Sequence, residues 1–249
     1  MMDNTNIILK IEGLCKAFGS NVVLNNFNLE LIKGENIVVL GKSGSGKSVL
    51  IKCIVGLLKP DKGNIHVFDT NMLELDQESL DKIRIKIGFL FQNSALYDSM
   101  TVRENLEFPM RRHWISLTSS EVKNLVEESL DNVGLLHAIN MMPSELSGGM
   151  RKRIGIARTL IMKPKLILYD EPTTGLDPIT SREIVQLMLD LQKKSHTSSV
   201  IISHDMSVAK LTANKIIVLL DGRNYAEGTY DELKKSSDKN INQFFEFAS

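Results

Sequence analysis

Gly41-Lys42-Ser43-Gly44-Ser45-Gly46-Lys47-Ser48 sets two glycines, a lysine and a serine at the spacing G-x-x-x-x-G-K-[ST]. Glycines at those places let a loop turn successive backbone N–H groups inward around phosphate oxygens. A helix that starts at the last glycine adds partial positive charge. Lys47 then neutralises the β and γ phosphates of a nucleoside triphosphate, and the Ser48 hydroxyl can hold a Mg²⁺ ion. The other reading of such a stretch is a flexible Gly/Ser turn. From average composition the fixed positions would coincide in roughly one chain of this length per hundred. The apolar run Ile37 to Leu40 before the loop and the helical run Val49 to Leu58 after it lower that further, so phosphate binding is expected.

A second constellation is Leu166-Ile167-Leu168-Tyr169-Asp170-Glu171, an apolar strand that ends in two acids. A strand this hydrophobic belongs in the middle of a sheet, where adjacent carboxylates are costly unless they face a metal or water. Asp170 suits the Mg²⁺ shell. Glu171, one residue further and on the other side, suits a general base for an attacking water. The plainer alternative is a helix cap before Pro172. Leu146-Ser147-Gly148-Gly149-Met150 is a second Ser/Gly-rich helix start, and it too offers free N–H groups and a helix dipole to an anion. Alone it would be a loop. With two phosphate-type sites and one evident pocket, the arrangement calls for a nucleotide shared between two copies of the chain.

These groups need a frame. Short β-branched or apolar runs recur at Ile7 to Ile11, Asn36 to Leu40, Asn64 to Phe68, Ile87 to Phe91, Leu166 to Tyr169, Ser199 to Ser203 and Lys215 to Leu219. From residue 160 onward they alternate with helical stretches such as Thr180 to Lys194, where Ile184, Leu187, Met188 and Leu191 recur at three- and four-residue spacing. That alternation predicts a mostly parallel α/β sheet. From about Thr101 to Lys163 strand signals nearly vanish. Ser120 to Asn132 places Val122, Leu125, Val126 and Leu130 on one face, with Glu121, Glu127 and Glu128 as solvated surface. This reads as a helical lobe, about 101–163, inserted into the core of a single domain over 1–249. Lys234 to Lys239 reads as a solvated turn before an apolar tail, Ile241 to Phe247, within a short carboxy-terminal segment 236–249.

The chain has 249 residues, 43% of them hydrophobic, with thirty basic and thirty acidic side chains and a formal net charge of zero. No bulk attraction draws it to nucleic acid, so no nucleic-acid partner is expected. Cys15 and Cys53 lie too far apart for a CxxC motif, which fits a reducing compartment. Cys53 reads as a small buried hydrophobe. The apolar runs fall short of the roughly 18 to 20 residues that cross a bilayer. The amino terminus carries an acid and no basic region before a hydrophobic run, so no targeting segment is expected and the cytoplasm is the expected location.

Taken together, these motifs resemble the nucleotide-binding subunit of ATP-binding cassette transporters over about residues 7 to 235. The resemblance implies an α/β P-loop NTPase fold with a RecA-like core sheet, a small antiparallel β part and an inserted helical subdomain. It implies an ATPase that uses ATP and Mg²⁺, working as a homodimer in which each ATP lies between the Walker A loop of one copy and the Leu-Ser-Gly-Gly signature of the other. On that resemblance Phe18, in Lys16-Ala17-Phe18-Gly19, stacks on adenine. Gln92 is the Q-loop residue that touches Mg²⁺ and the water and couples to an integral membrane permease. Gly175-Leu176-Asp177 is the D-loop crossing the dimer interface, and His204 is the switch histidine at the γ-phosphate. A lone His at a strand end is more often structural, but its order after Asp170 and Glu171 reverses that reading.

A narrower resemblance lies in Met142 to Met150, where Met150 replaces the usual Gln after Ser-Gly-Gly, in Phe91 to Met100, and in Asp177-Pro178-Ile179-Thr180. These look like the ATPase of Mla/Mce phospholipid transport systems. Such a resemblance implies phospholipid movement between inner and outer membranes. It also implies a peripheral position on the cytoplasmic face of the inner membrane, with an Mce-domain lipid-binding protein and a STAS-domain protein as further partners. Two alternatives stand beside it: an importer ATPase for amino acids or another small solute, and a soluble cassette acting as a nucleotide-gated switch.

Overall fold

The protein's structure, a computed structural model, describes residues 6–112 and 117–246. In chain order it runs through strands β1 (Ile7–Phe18), β2 (Asn21–Ile32) and β3 (Asn36–Leu40), helix α1 (Lys47–Ile54), strands β4 (Lys62–Val67) and β5 (Thr70–Asn71) and helix α2 (Gln77–Arg84). Strand β6 (Ile87–Leu90), helices α3 (Val102–Arg112), α4 (Ser119–Asp131) and α5 (Gly148–Leu160), strand β7 (Leu166–Asp170) and helix α6 (Pro178–Ser195) follow. The chain closes with β8 (Ser198–Ser203), α7 (Met206–Thr212), β9 (Lys215–Leu220), β10 (Arg223–Gly228), α8 (Tyr230–Lys234) and α9 (Lys239–Glu246). The elements fall into two compact units, Met1–Arg84 with Thr197–Ser249, and Ile85–His196.

In the first unit a small antiparallel sheet has the order β2-β1-β4-β5. Beside it β3 runs parallel between β8 and β9, and β10 closes the edge antiparallel to β9. Every residue of β3 and β8 is buried. Ile37 to Leu40 and Val200 to Ile202 show no alternation because both faces of a parallel strand are covered. Each of these side chains contributes about 1.5–3 kcal/mol by leaving water. The polar start of β3 is satisfied locally: Asn36 Nδ2 donates to Thr212 O at 3.1 Å, its backbone N–H to Asn214 Oδ1 at 2.8 Å, and its Oδ1 accepts from the Ser199 hydroxyl.

The β1–β2 hairpin is longer than the run Ile7 to Ile11 predicts, and β2, which that reading omits, alternates cleanly only from Phe27 to Leu31, with Phe27, Leu29 and Leu31 buried. Register shifts between Ile11 and Leu14 and between Leu14 and Lys16 explain this. Leu24 and Phe27, three residues apart, are both buried, with Asn26 left-handed between them at φ 56°. A bulge that inserts one residue flips the phase, so the alternation of Phe27 to Leu31 does not extend back to Leu24. The tail is a helix as far as Glu246, with Ile241 and Phe244 buried. Phe247 lies outside the described residues.

In the second unit β6 and β7 pair parallel. Residues 102–160 hold α3, α4 and α5, with no strand among the described residues. The start of α4 is fixed by a capping box, in which Glu121 Oε2 accepts from Thr118 N at 2.7 Å while Thr118 Oγ1 accepts from Glu121 N at 3.3 Å. Glu121 is therefore exposed but not merely solvated: it satisfies an orphan amide. Along α6, Ile184, Val185, Met188 and Leu191 form the buried stripe. No helix among the described residues is long and apolar enough to cross a membrane.

Candidate functional site

Two strand registers bring candidate residues together, one in each unit. In the first, Leu40 of β3 is paired with Ser203 of β8, so Gly41 and His204 leave neighbouring strands side by side. In the second, Leu90 of β6 is paired with Tyr169 of β7, which sets the chain leading to Gln92 beside Asp170 and Glu171. Both groups stand at carboxyl ends of parallel strands, the place where open α/β sheets bind ligands.

The loop after β3 is shaped by close approach. Gly46, the N-cap of α1, is at φ 101°, and a Cβ there would lie 2.8 Å from Val23 O. Only glycine fits both the conformation and the space. No side chain caps α1 at Gly46, and an anion favours such a helix start. Lys47 is buried, and its Nζ donates to Gly41 O at 2.8 Å and Lys42 O at 3.0 Å. Ser45 Oγ is buried without a hydrogen-bond partner. A lysine in the neck of the loop, a glycine-capped helix start and an orphaned Ser45 hydroxyl together fit the phosphates of a nucleotide. Lys42, Ser43, Gly44 and Ser48 are exposed.

Phe18 closes β1 with its ring half exposed, at 50%. Lys16 Nζ lies 5.6 Å from the ring centroid and is paired with Asp61 at 2.8 Å, and Asp61 also accepts from Ala17 N at 2.7 Å. The Lys16 hydrogen bond holds the Asp61 carboxyl below its ordinary range. The backbone before Phe18 is thus pinned while its ring faces outward.

In the second unit β7 is buried throughout, with Asp170 only 9% exposed. Glu171 takes a left-handed backbone at φ 50°, a conformation costing a non-glycine residue about 1–3 kcal/mol. Its carbonyl accepts from Thr174 N at 3.3 Å and its Oε2 from Thr174 Oγ1 at 2.8 Å. Lys152, buried on α5, donates to Gln92 O and to Glu171 O, the latter at 3.4 Å. Burial pulls the Lys152 ammonium down to about 8, against the Asp170 and Glu171 carboxylates, which act to raise it. The Gln92 side chain is exposed.

Ser147 and Asp177 each head a helix of this unit. Ser147 is the exposed N-cap of α5, its Oγ accepting from Met150 N at 3.2 Å, and its own proton remains to be donated. Asp177 caps α6, with Oδ1 accepting from Ile179 N and Thr180 N at 3.0 Å each. Hydrogen bonds, that of the Thr180 side chain foremost, hold its carboxyl low. The two caps adjoin, since a Cβ on Gly148 would sit 3.5 Å from Leu176 and one on Gly149 2.9 Å from Thr180. Lys152 and Thr174 escaped the sequence reading. The available signals were a lysine amid the apolar positions of α5 and a hydroxyl three residues beyond Glu171.

A family model described as ABC transporter matches residues 24–174. The chain belongs to the ABC transporter family. It is an ATPase that binds ATP, an α/β P-loop cassette combining parallel and antiparallel sheets. It is 36% identical over 238 residues to the probable ribonucleotide transport ATP-binding protein mkl of Mycobacterium leprae, covering 96% of this chain and 68% of that one. It is 36% identical over 241 residues to the intermembrane phospholipid transport system ATP-binding protein MlaF of Haemophilus influenzae, covering 97% of this chain and 90% of that one. Against the methionine import ATP-binding protein MetN of Campylobacter jejuni the identity is again 36%, covering 91% and 72%. Among solved ABC structures, a dimeric ATP-binding cassette in a post-hydrolysis state bound to ADP and Pi matches with a TM-score of 0.81 and 34% identity, over 89% of this chain and 98% of that one.

Proposed function

We propose that this ABC ATPase is the energy-supplying subunit of a membrane transporter that moves phospholipid between two membranes, acting as a homodimer on the cytoplasmic face beside an integral permease. The amides of Gly41 to Ser48 and the Lys47 ammonium bind the phosphates, and Phe18 stacks on the base. Ser48 in the first unit, and Asp170 and Gln92 in the second, are the candidate oxygen donors for Mg²⁺, and such an ion would supply neutralisation of β- and γ-phosphate charge. Glu171 accepts a proton from the attacking water, and His204 steadies the γ-phosphate. Ser147, Gly148 and Gly149 of one copy face the triphosphate held by the other, with Asp177 at the crossing between copies. The observation that carries this reading is the paired registers: Leu40 with Ser203 sets the phosphate loop beside His204, and Leu90 with Tyr169 sets the Gln92 segment beside Glu171.

Phospholipid as cargo is supported by the Met150 substitution in the signature, by Asp177-Pro178-Ile179-Thr180, and by the 90% of MlaF that the chain spans. An Mce-domain lipid-binding protein and a STAS-domain protein complete the proposed assembly. The importer reading rests on equal identity to MetN, of which the chain spans less. The test is Glu171→Gln in the full chain. Turnover should fall about a hundredfold or more, while the protein keeps ATP and elutes as a dimer. Unchanged turnover refutes the base, and an amino acid rather than phospholipid retained by the complex refutes the cargo.

A further inference from the structure

Helix α5 does more than present the signature at its start. Lys152 on it is 3% exposed, and both of its hydrogen-bond acceptors are backbone carbonyls, those of Gln92 and Glu171. A buried ammonium is expensive unless its surroundings repay the lost hydration. What it holds here is unusual backbone. Glu171 is left-handed at φ 50°, and the segment that begins at Gln92 continues through Ser94 and Ala95, left-handed at φ 60° and 46°. The carbonyls of those two residues accept from Arg158, again on α5, at 2.7 and 2.8 Å. A Cβ on Gly155, between the two cations, would lie 2.9 Å from Ser94 Cβ, so the helix is seated directly on this segment.

We infer that Lys152 is a positioning residue that ties the Gln92 carbonyl to the Glu171 carbonyl, so that the base and the Q-loop keep one relative placement and both follow α5. Strained backbone persists where neighbours over-determine it, and Lys152 supplies a restraint to Glu171 from outside its own loop. Ser147 heads the same helix. A displacement of α5 when the signature meets a phosphate is therefore delivered, through Lys152, to the base that activates the water. The inference rests on the assignment of Glu171 as base.

The experiment measures kcat and KM for ATP on the full-length chain carrying Lys152→Met, Lys152→Gln or Lys152→Arg, beside Glu171→Gln. Misplacing a catalytic group by an ångström costs up to about a hundredfold, so Met and Gln should lower kcat at least about fivefold while KM stays within about threefold. Arg, whose guanidinium spans two carbonyls, should restore kcat to within about threefold of the parent. Amide exchange should quicken at Gln92 to Ala95 and Glu171 to Thr174 and stay unchanged at Ser43 to Ser48. A smaller loss of kcat in Met and Gln, or a loss that Arg leaves in place, overturns the inference. Glu171→Gln separates the two failures: if it is inactive while the Lys152 variants turn over normally, the tie alone is wrong, and if it remains active the base assignment is wrong.

Discussion

Thr174 Oγ1 donates to Glu171 Oε2 at 2.8 Å, and the Thr174 amide donates to the Glu171 carbonyl at 3.3 Å. One residue therefore holds both ends of the proposed base, whose own backbone lies in the left-handed region. The side-chain bond draws the Glu171 carboxylate toward Thr174.

Removing that hydroxyl forfeits about 0.5–1.5 kcal/mol of ordering, which corresponds to a drop in kcat of about two- to tenfold at unchanged KM. Thr174→Val should show this loss under saturating ATP, and Thr174→Ser, which keeps the donor, should stay within about twofold of the parent. Equal turnover in the Val variant would dissociate Thr174 from the base.

Ser147 has two separable jobs. Its Oγ accepts from Met150 N as the N-cap of α5, a role worth about 1 kcal/mol that Asp performs as well as Ser. Its hydroxyl proton is what a phosphate oxygen would accept. Ser147→Asp should therefore keep the thermal midpoint, since a carboxylate also suits the helix dipole, yet abolish ATP-dependent dimerisation and turnover by repelling the triphosphate. Ser147→Ala should lower the midpoint by a few degrees, as about 1 kcal/mol does in a domain of this size. Turnover retained in the Asp variant would remove Ser147 from the nucleotide site.

Legibility in the sequence followed burial. Strands covered on both faces, such as Ile37 to Leu40 and Leu166 to Tyr169, announce themselves as unbroken apolar runs, and the structure places β3 and β7 there. Strand β2 is legible only in its second half, where Phe27, Leu29 and Leu31 alternate with exposed Asn28 and Glu30; its first half is hidden because Leu24 falls out of phase around Asn26. Strand β10 alternates exposed and half-buried residues, and its large ring, Tyr225, lies in the exposed set, so no buried apolar stripe marks Arg223 to Gly228 as paired. At the candidate site, residues adjacent in sequence that bind through their own backbone, as Gly41 to Ser48 do, leave a motif. Lys152 leaves none, because its acceptors are main-chain carbonyls sixty and nineteen positions away, and carbonyls carry no residue identity.

Cys53 on α1 is fully buried, and burial raises its thiol from an ordinary value near 9 to about 11, with Lys16 pulling slightly downward and Asp61 upward. The fold thus favours the neutral thiol. In the unfolded chain the same group ionises near pH 8.5. Between roughly pH 8.5 and 11 the unfolded state has released a proton that the folded state keeps, so it binds fewer protons and stability falls as pH rises through that window. Below about pH 8 both states are protonated and the effect vanishes. Tyr169, also raised by burial, adds a similar loss in alkali, so the comparison must be made against a variant lacking only the thiol. Cys53→Ala should be less stable than the parent at pH 7 because it leaves a small cavity, and its urea midpoint should then fall less steeply than the parent's from pH 8 to 10.5. Burial holds the Cys53 thiol neutral and covered, so alkylation of the folded protein should modify half-buried Cys15 first and reach Cys53 only when urea opens the first unit. Parallel urea–pH profiles for parent and Cys53→Ala, or simultaneous labelling of both thiols in the folded state, would show that Cys53 is not desolvated as its packing on α1 requires.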